Sequence, residues 1–134
     1  MSLVAIKIKS GKMFDFYAIE QNSQCGLLDF LTEISRSNPV EFNKLIKDID
    51  RTADNGLIRN TEKFKTLDNG IHEFKTYGGI RVLCFFDGRR IIVLTNGFMK
   101  RKKYEPEITR AINLRAKYIE SKNSNSLAYK EEII

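Results

Sequence analysis

The chain has 134 residues, of which 42% are hydrophobic and 30% are charged, a balance typical of one soluble globular domain. No apolar run approaches the roughly 18 residues of a membrane span, and the N-terminus lacks a signal-peptide core, so we expect a cytoplasmic protein with no membrane association. The net charge is +6, and with two cysteines and one histidine we expect reduced thiols and neither a metal site nor a cofactor.

The first residues predict a β-hairpin. Residues 3–9 and 13–19 have strand-like composition, and the Ser-Gly-Lys sequence at 10–12 between them is a turn signal.

Two helices are predicted next. Apolar residues recur at helical spacing over residues 24–37. Asn38 and Pro39 then end this helix and begin another, in which Asn38 and Glu41 are typical of a capping box. The Asn-Gly pair at 55–56 is a left-handed helix stop.

The second half predicts a meander and a last helix. Residues 57–70 are polar and expected to be irregular. The three strands expected after them are 71–77, 80–87 and 91–98, joined by Gly-Gly and Asp-Gly turns. A helix begins at Pro106, and residues 121–134 are expected to be a flexible polar tail.

These elements predict an α+β fold in a single domain, residues 1–120. We expect a twisted antiparallel sheet made of the C-terminal three-strand meander and the N-terminal strands. The N-terminal helical hairpin and the C-terminal helix would pack on it.

The positive charge is concentrated in one segment. Residues 71–104 hold eight basic and two acidic residues, whereas the segments before and after them are each neutral. A focused cationic surface is the expected footprint of a polyanion, and the alternative is a scattered, solvated basic face.

Three of these cations are expected to meet at one end of the meander. The tight turn places Lys75 beside Arg81, and Lys100 returns to the same edge if Phe98 anchors the strand before it. Guanidinium and ammonium groups without paired carboxylates suit a phosphate. If the ligand is RNA, its 2′-hydroxyl supplies the nucleophile, and the cations stabilise the charged phosphorane without a metal.

The residues alone leave the proton-transfer group open among a lysine, a tyrosine and the single histidine. His72 shares a strand face with Phe74, which favours a histidine packed in the core. Tyr104 either takes part in the site or packs on the last helix. Arg89 and Arg90 occupy a hairpin turn and are expected to face water or a phosphate backbone.

A set of short motifs lies between about residues 70 and 120. They are Glu73-Phe74-Lys75, Ile80-Arg81-Val82, Leu94-Thr95-Asn96-Gly97-Phe98, Lys100-Arg101, Glu107-Ile108, Ala111, Leu114-Arg115 and Tyr118. Together they resemble the toxins of type II toxin–antitoxin systems, in the phage-derived, HigB-like branch of the RelE/ParE superfamily.

The resemblance implies a RelE-like fold and a toxin that cleaves mRNA, often on the ribosome, by metal-independent 2′-hydroxyl attack. It also implies a cognate antitoxin as partner. In this interpretation Lys75 and Arg81 bind the scissile phosphate, while Lys100 and Arg101 form the basic pair after the strand.

The resemblance also extends the list of candidates. Tyr104, Lys102 and Lys103 lie where the family's acid/base residue is found. The catalytic candidates are therefore Lys75, Arg81, Lys100 and Tyr104, and the RNA-binding candidates are Arg89, Arg90, Arg101, Lys102 and Lys103. Because one fold hosts several functions, a non-enzymatic gyrase inhibitor and a basic nucleic-acid-binding module remain alternatives.

Overall fold

The computed structural model describes residues 3–134, in which three helices and seven strands are present. The elements are β1 (Leu3–Ser10), β2 (Asp15–Gln21), α1 (Gly26–Ser37), α2 (Pro39–Asn55), β3 (Phe64–Thr66), β4 (His72–Lys75), β5 (Ile80–Asp87), β6 (Ile91–Met99), α3 (Tyr104–Asn123) and β7 (Ala128–Glu131). The α+β class is confirmed. No helix in the described part of the chain is long and apolar enough to cross a membrane.

The strands form one sheet in the order β3-β4-β5-β6-β2-β1-β7. The hairpin β1–β2 and the meander β4–β5–β6 are antiparallel, as predicted. However, β2 runs parallel to β6, and β7 runs parallel to β1, so the sheet is mixed. A parallel pair needs a long crossover connection, which α1, α2 and β3–β5 supply between β2 and β6.

Helices cover both faces of the sheet. On one face, α1 and α2 pack over an apolar core that includes Phe16, Leu31, Leu45, Ile49 and Phe74. On the other face, α3 packs over a second core that includes Leu83, Phe85, Val93, Ala111 and Tyr118. The ends of the strands are left open, and the cationic side chains lie there.

The start of α2 differs from the predicted capping box in one respect. The Asn38 side chain accepts a hydrogen bond from the Glu41 backbone N–H at 3.4 Å, as expected. The Asn38 N–H, however, donates to the Ile34 carbonyl. The Glu41 carboxylate instead accepts from the backbone N–H of Gly78 at 2.7 Å. Glu41 therefore connects α2 to the β4–β5 turn.

Residues 121–134 were expected to be a flexible tail, but the structure places part of this segment in regular elements. Helix α3 continues to Asn123, and the edge strand β7 follows, with its backbone pairing continued by the Ile134 N–H and the Ile8 carbonyl at 3.0 Å. All four residues of β7 are exposed. A strand without a buried face has no alternating pattern, so the sequence did not reveal it.

Two smaller differences separate the structure from the predicted elements. Residues 57–70, expected to be irregular, contain β3, whose three residues are too few for a recognisable pattern. Helix α3 begins at Tyr104 rather than at Pro106.

Candidate functional site

A cleft of about 640 Å³ lies at the end of the sheet where β4 turns into β5. Helix α2 and the segment before β3 complete its wall. Its acidic residues are Asp48 and Glu62. Its basic residues are Lys44, Lys47, Arg51, Lys63, Lys75, Arg81 and Lys100. This excess of cations in a concave site favours an anionic ligand.

The three cations predicted to converge do line this cleft together. Lys75 and Arg81 are paired across the β4–β5 ladder. Lys100 follows β6, and its backbone N–H donates to the Gly79 carbonyl at 2.8 Å. Phe98 is buried and anchors the end of β6. Lys100 was expected to reach this edge of the sheet only if Phe98 was anchored in this way.

Helix α2 adds cations that the sequence analysis did not select. Lys44, Lys47 and Arg51 are spaced by three and four residues, so they share one helical face, and all three line the cleft. Charge counting along the chain missed them because residues 1–70 are neutral overall. Their helical spacing was the available signal.

The Arg81 guanidinium is held in place by the protein. Its Nε donates to the Tyr104 hydroxyl, and its Nη1 donates to the carbonyls of Thr76 and Ile80, each at 2.9 Å. Its Nη2 makes no hydrogen bond to any part of the chain between residues 3 and 134. Two N–H donors on a fixed guanidinium therefore remain for an anion in the cleft.

Tyr104 is the first residue of α3 and packs its ring edge-on against Phe98, with 5.1 Å between centroids. Its hydroxyl lies behind Arg81 and does not line the cleft. Burial raises the Tyr104 pKa, and the charge and hydrogen bond of Glu73 raise it further, against the lowering effect of Arg81. Tyr104 therefore keeps its proton at neutral pH and is placed to orient Arg81.

Glu73 is a buried acid beside this pair, with only 2% of its surface exposed. Its Oε2 is buried without a hydrogen-bond partner in the described residues. A buried polar group is costly unless it is paired, so the unpartnered oxygen of Glu73 is an unfavourable feature of this region, and the charge of Glu73 acts on the neighbouring Tyr104 by raising the Tyr104 pKa.

His72 lies at the other end of β4 and does not line the cleft. It stacks on Phe64 with 5.7 Å between ring centroids, and its Nδ1 shares a hydrogen bond with the Thr66 hydroxyl at 2.9 Å. Burial lowers the His72 pKa, so its neutral form is favoured. His72 therefore packs on aromatic rings as expected, but it is half-buried at the edge of the core rather than inside it.

Arg89 and Arg90 are separated from the cleft. They lie in the β5–β6 turn, at the opposite end of β5 from Arg81, and both are exposed. At about 3.3 Å per residue, this end is roughly 20 Å from Arg81. One Arg90 N–H donates to the Lys12 carbonyl at 3.1 Å. These two arginines cannot share a single phosphate with Arg81.

Arg101, Lys102 and Lys103 form an exposed turn between Lys100 and α3. They follow Lys100 directly but do not line the cleft themselves. The predicted phosphate-binding group is thus divided into the cleft, this adjacent turn and the remote β5–β6 turn.

The two cysteines are structural. Cys25 and Cys84 are buried and unbridged, and burial raises the pKa of both thiols. Among residues 3–134, no group of three His, Cys, Asp or Glu side chains is arranged to hold a metal ion.

One protein family matches the chain. Its description is "Phage derived protein Gp49-like (DUF891)", and the match covers residues 32–116, which include every residue that lines the cleft. No curated protein matches the chain. Since the match spans more than half of the sequence, the chain belongs to the Gp49-like family of phage-derived proteins.

Proposed function

We propose that this protein is the toxin of a type II toxin–antitoxin system and cleaves mRNA without a metal ion. The observation that carries the proposal is that Lys75 of β4, Arg81 of β5 and Lys100, which directly follows β6, line one cleft. Membership of the Gp49-like phage-derived family supports a toxin role. In this proposal the protein acts in the cytoplasm, and its partners are a cognate antitoxin, mRNA and the ribosome.

The reaction needs few protein groups, because RNA carries its own nucleophile. The 2′-oxygen attacks the adjacent phosphorus and loses its proton, the bond to the 5′-oxygen breaks, and that oxygen gains a proton. The products are a 2′,3′-cyclic phosphate and a 5′-hydroxyl. The intervening phosphorane carries extra negative charge, which Lys75, Lys100 and the oriented guanidinium of Arg81 would stabilise.

Proton transfer needs a further group. Neither Tyr104, which lies behind Arg81, nor His72 lines the cleft, which leaves the lysines among the earlier candidates. The structure adds Asp48, which lines the cleft and is only 8% exposed. Burial raises the Asp48 pKa, partly offset by Lys63 and Arg51, and this direction suits a carboxylate that exchanges protons.

Expression in cells with mapping of RNA 5′ ends tests the proposal. Wild-type protein is expected to arrest growth and to produce new 5′ ends. Arg81→Ala and Lys100→Ala are expected to lose both effects, with cleavage by Arg81→Ala reduced about 100- to 1000-fold. The matched control is Arg36→Ala, which removes an exposed arginine of α1 that lies outside the cleft.

Circular dichroism and thermal melting of the purified variants show whether they are folded. Full toxicity of folded Arg81→Ala contradicts the proposal. Growth arrest with altered DNA supercoiling and no cleavage supports the gyrase inhibitor instead. RNA binding without arrest or cleavage supports the binding module.

A further inference from the structure

Tyr77 has the most exposed large apolar side chain in the described part of the chain. Its surface is 94% exposed, compared with 65% for Val40 and 59% for Tyr129. Isolated exposed apolar side chains are ordinary on proteins. The position of Tyr77 is unusual, because it lines the cationic cleft with Lys75 and Lys100.

The backbone around Tyr77 is firmly held within its turn. The Thr76 N–H donates to the Ile80 carbonyl, and the Gly79 N–H donates to the Thr76 carbonyl, both at 3.0 Å. The Thr76 hydroxyl also accepts from the Ile80 N–H at 3.1 Å. The turn therefore has a defined shape although the ring of Tyr77 packs against almost nothing.

Two neighbouring elements hold the same turn from outside. On one side the Gly78 N–H donates to the buried Glu41 carboxylate of α2. On the other side the Gly79 carbonyl accepts from the Lys100 N–H. A side chain presented from a fixed backbone loses less conformational freedom on binding than one on a mobile loop. Tyr77 is thus pre-organised for contact with a ligand in the cleft.

We propose that Tyr77 stacks on an unpaired base of RNA whose phosphate is bound by Lys75, Arg81 and Lys100. This inference rests on the proposed function, since it takes RNA as the ligand. Cations that follow the backbone, together with an aromatic ring under a base, are the usual means of binding single strands. In a duplex both faces of a base are already stacked, so the cleft selects single-stranded RNA.

Binding of a fluorescent RNA strand with 2′-O-methyl groups throughout tests the proposal. This probe cannot be cleaved, because its 2′-oxygens carry no proton and are blocked. Tyr77→Ala is expected to bind it about five- to 100-fold more weakly than wild type. Tyr77→Phe keeps the ring and is expected to bind within about twofold of wild type. The matched control, Tyr129→Ala, removes an exposed tyrosine of β7 and is expected to bind like wild type.

The same strand annealed to its complement provides the second arm. The duplex is expected to bind more weakly to wild type, and Tyr77→Ala is expected not to change that binding. Equal single-strand binding by wild type and Tyr77→Ala overturns the proposal. The proposal is also overturned if Tyr77→Ala weakens duplex binding as much as it weakens single-strand binding. If Tyr77→Ala leaves RNA binding intact but abolishes neutralisation by an antitoxin, the ring belongs to a protein interface and the proposal is wrong.

The stacking proposal and the nuclease proposal fail separately. If binding of the blocked strand depends on Tyr77 but ordinary RNA is not cleaved, the stacking proposal stands and the nuclease proposal is wrong. If RNA is cleaved but its binding does not depend on Tyr77, the nuclease proposal stands and the stacking proposal is wrong.

Discussion

The Nε of Arg81 donates a hydrogen bond to the hydroxyl of Tyr104 over 2.9 Å. This bond joins β5 to the first residue of α3, so the start of the last helix determines the orientation of a cation in the cleft. Because burial and Glu73 raise the Tyr104 pKa, the hydroxyl stays protonated in this role.

Tyr104→Phe tests whether Tyr104 positions Arg81. The variant keeps the ring on Phe98 and loses only the hydroxyl. We expect RNA cleavage to fall roughly tenfold to a hundredfold, as for loss of a hydrogen bond to a charged group, with RNA affinity much less affected. Single-turnover rates measured from pH 6 to 9 check this. An unchanged cleavage rate in the folded variant would show that the Tyr104 hydroxyl does not position Arg81.

Gly78→Ala is expected to release the β4–β5 turn from α2. A Cβ at Gly78 would collide with the Glu41 carboxylate, so the variant must break the hydrogen bond between them. Loss of a buried, charge-assisted hydrogen bond costs about 1–3 kcal/mol, which urea denaturation measures. The control is Gly26→Ala, since a Cβ there meets no atom within 4 Å. Equal stability of Gly78→Ala and wild type would show that Glu41 does not hold the turn.

Asp48→Asn is expected to separate RNA binding from cleavage. Removing this carboxylate makes the cleft more positive, so the blocked RNA strand should bind several-fold more tightly at low salt. Cleavage should fall at least tenfold if Asp48 transfers a proton. Asp29→Asn, an exposed acid of α1, is the control. Tighter binding with an unchanged cleavage rate would exclude Asp48 from proton transfer.

The stability of Asp48→Asn gives a second readout with a defined sign. Folding raises the Asp48 pKa, so the ionised carboxylate destabilises the folded state above its unfolded pKa. We therefore expect the variant to be at least as stable as wild type at pH 7. Any advantage should disappear as the pH falls below about 4, where Asp48 is protonated in both states.

Asp87 should show the opposite pH dependence. Its carboxylate accepts from the Tyr118 hydroxyl at 2.6 Å and from Lys122 at 2.7 Å, which ties α3 to the end of β5. Burial raises the Asp87 pKa, but hydrogen bonds from Lys122 and Tyr118 more than compensate, and the net pKa is lowered. The carboxylate thus contributes stability above its unfolded pKa, which is lost as the pH falls through the folded pKa.

We expect Asp87→Asn to lose about 1–3 kcal/mol of unfolding free energy at pH 7. The difference from wild type should shrink below pH 4 and be absent near pH 2. Urea denaturation of both proteins at these pH values measures it. A difference that does not change with pH would mean that the negative charge of Asp87 is not what holds α3.

The sequence predicted well wherever the signal was local. The Gly-Gly pair located the turn between β4 and β5, and a three-residue connection, residues 77–79, with Thr76 opposite Ile80, sets the register that pairs Lys75 with Arg81. The Asn38 cap of α2 and the left-handed Gly56, with φ of 98°, likewise depend only on adjacent residues. These features could be derived without knowing which helices and strands pack against each other.

The tertiary structure alone decided which distant residues became neighbours. It brought Lys44, Lys47 and Arg51 of α2 to the cleft, and it left Arg89 and Arg90 at the far end of β5. It also placed β2 parallel to β6 and put Tyr104 behind Arg81. The physical reason is that turns and caps are set by backbone geometry over a few residues. The neighbours of a strand or helix face, in contrast, are set by which apolar surfaces bury one another across the whole chain.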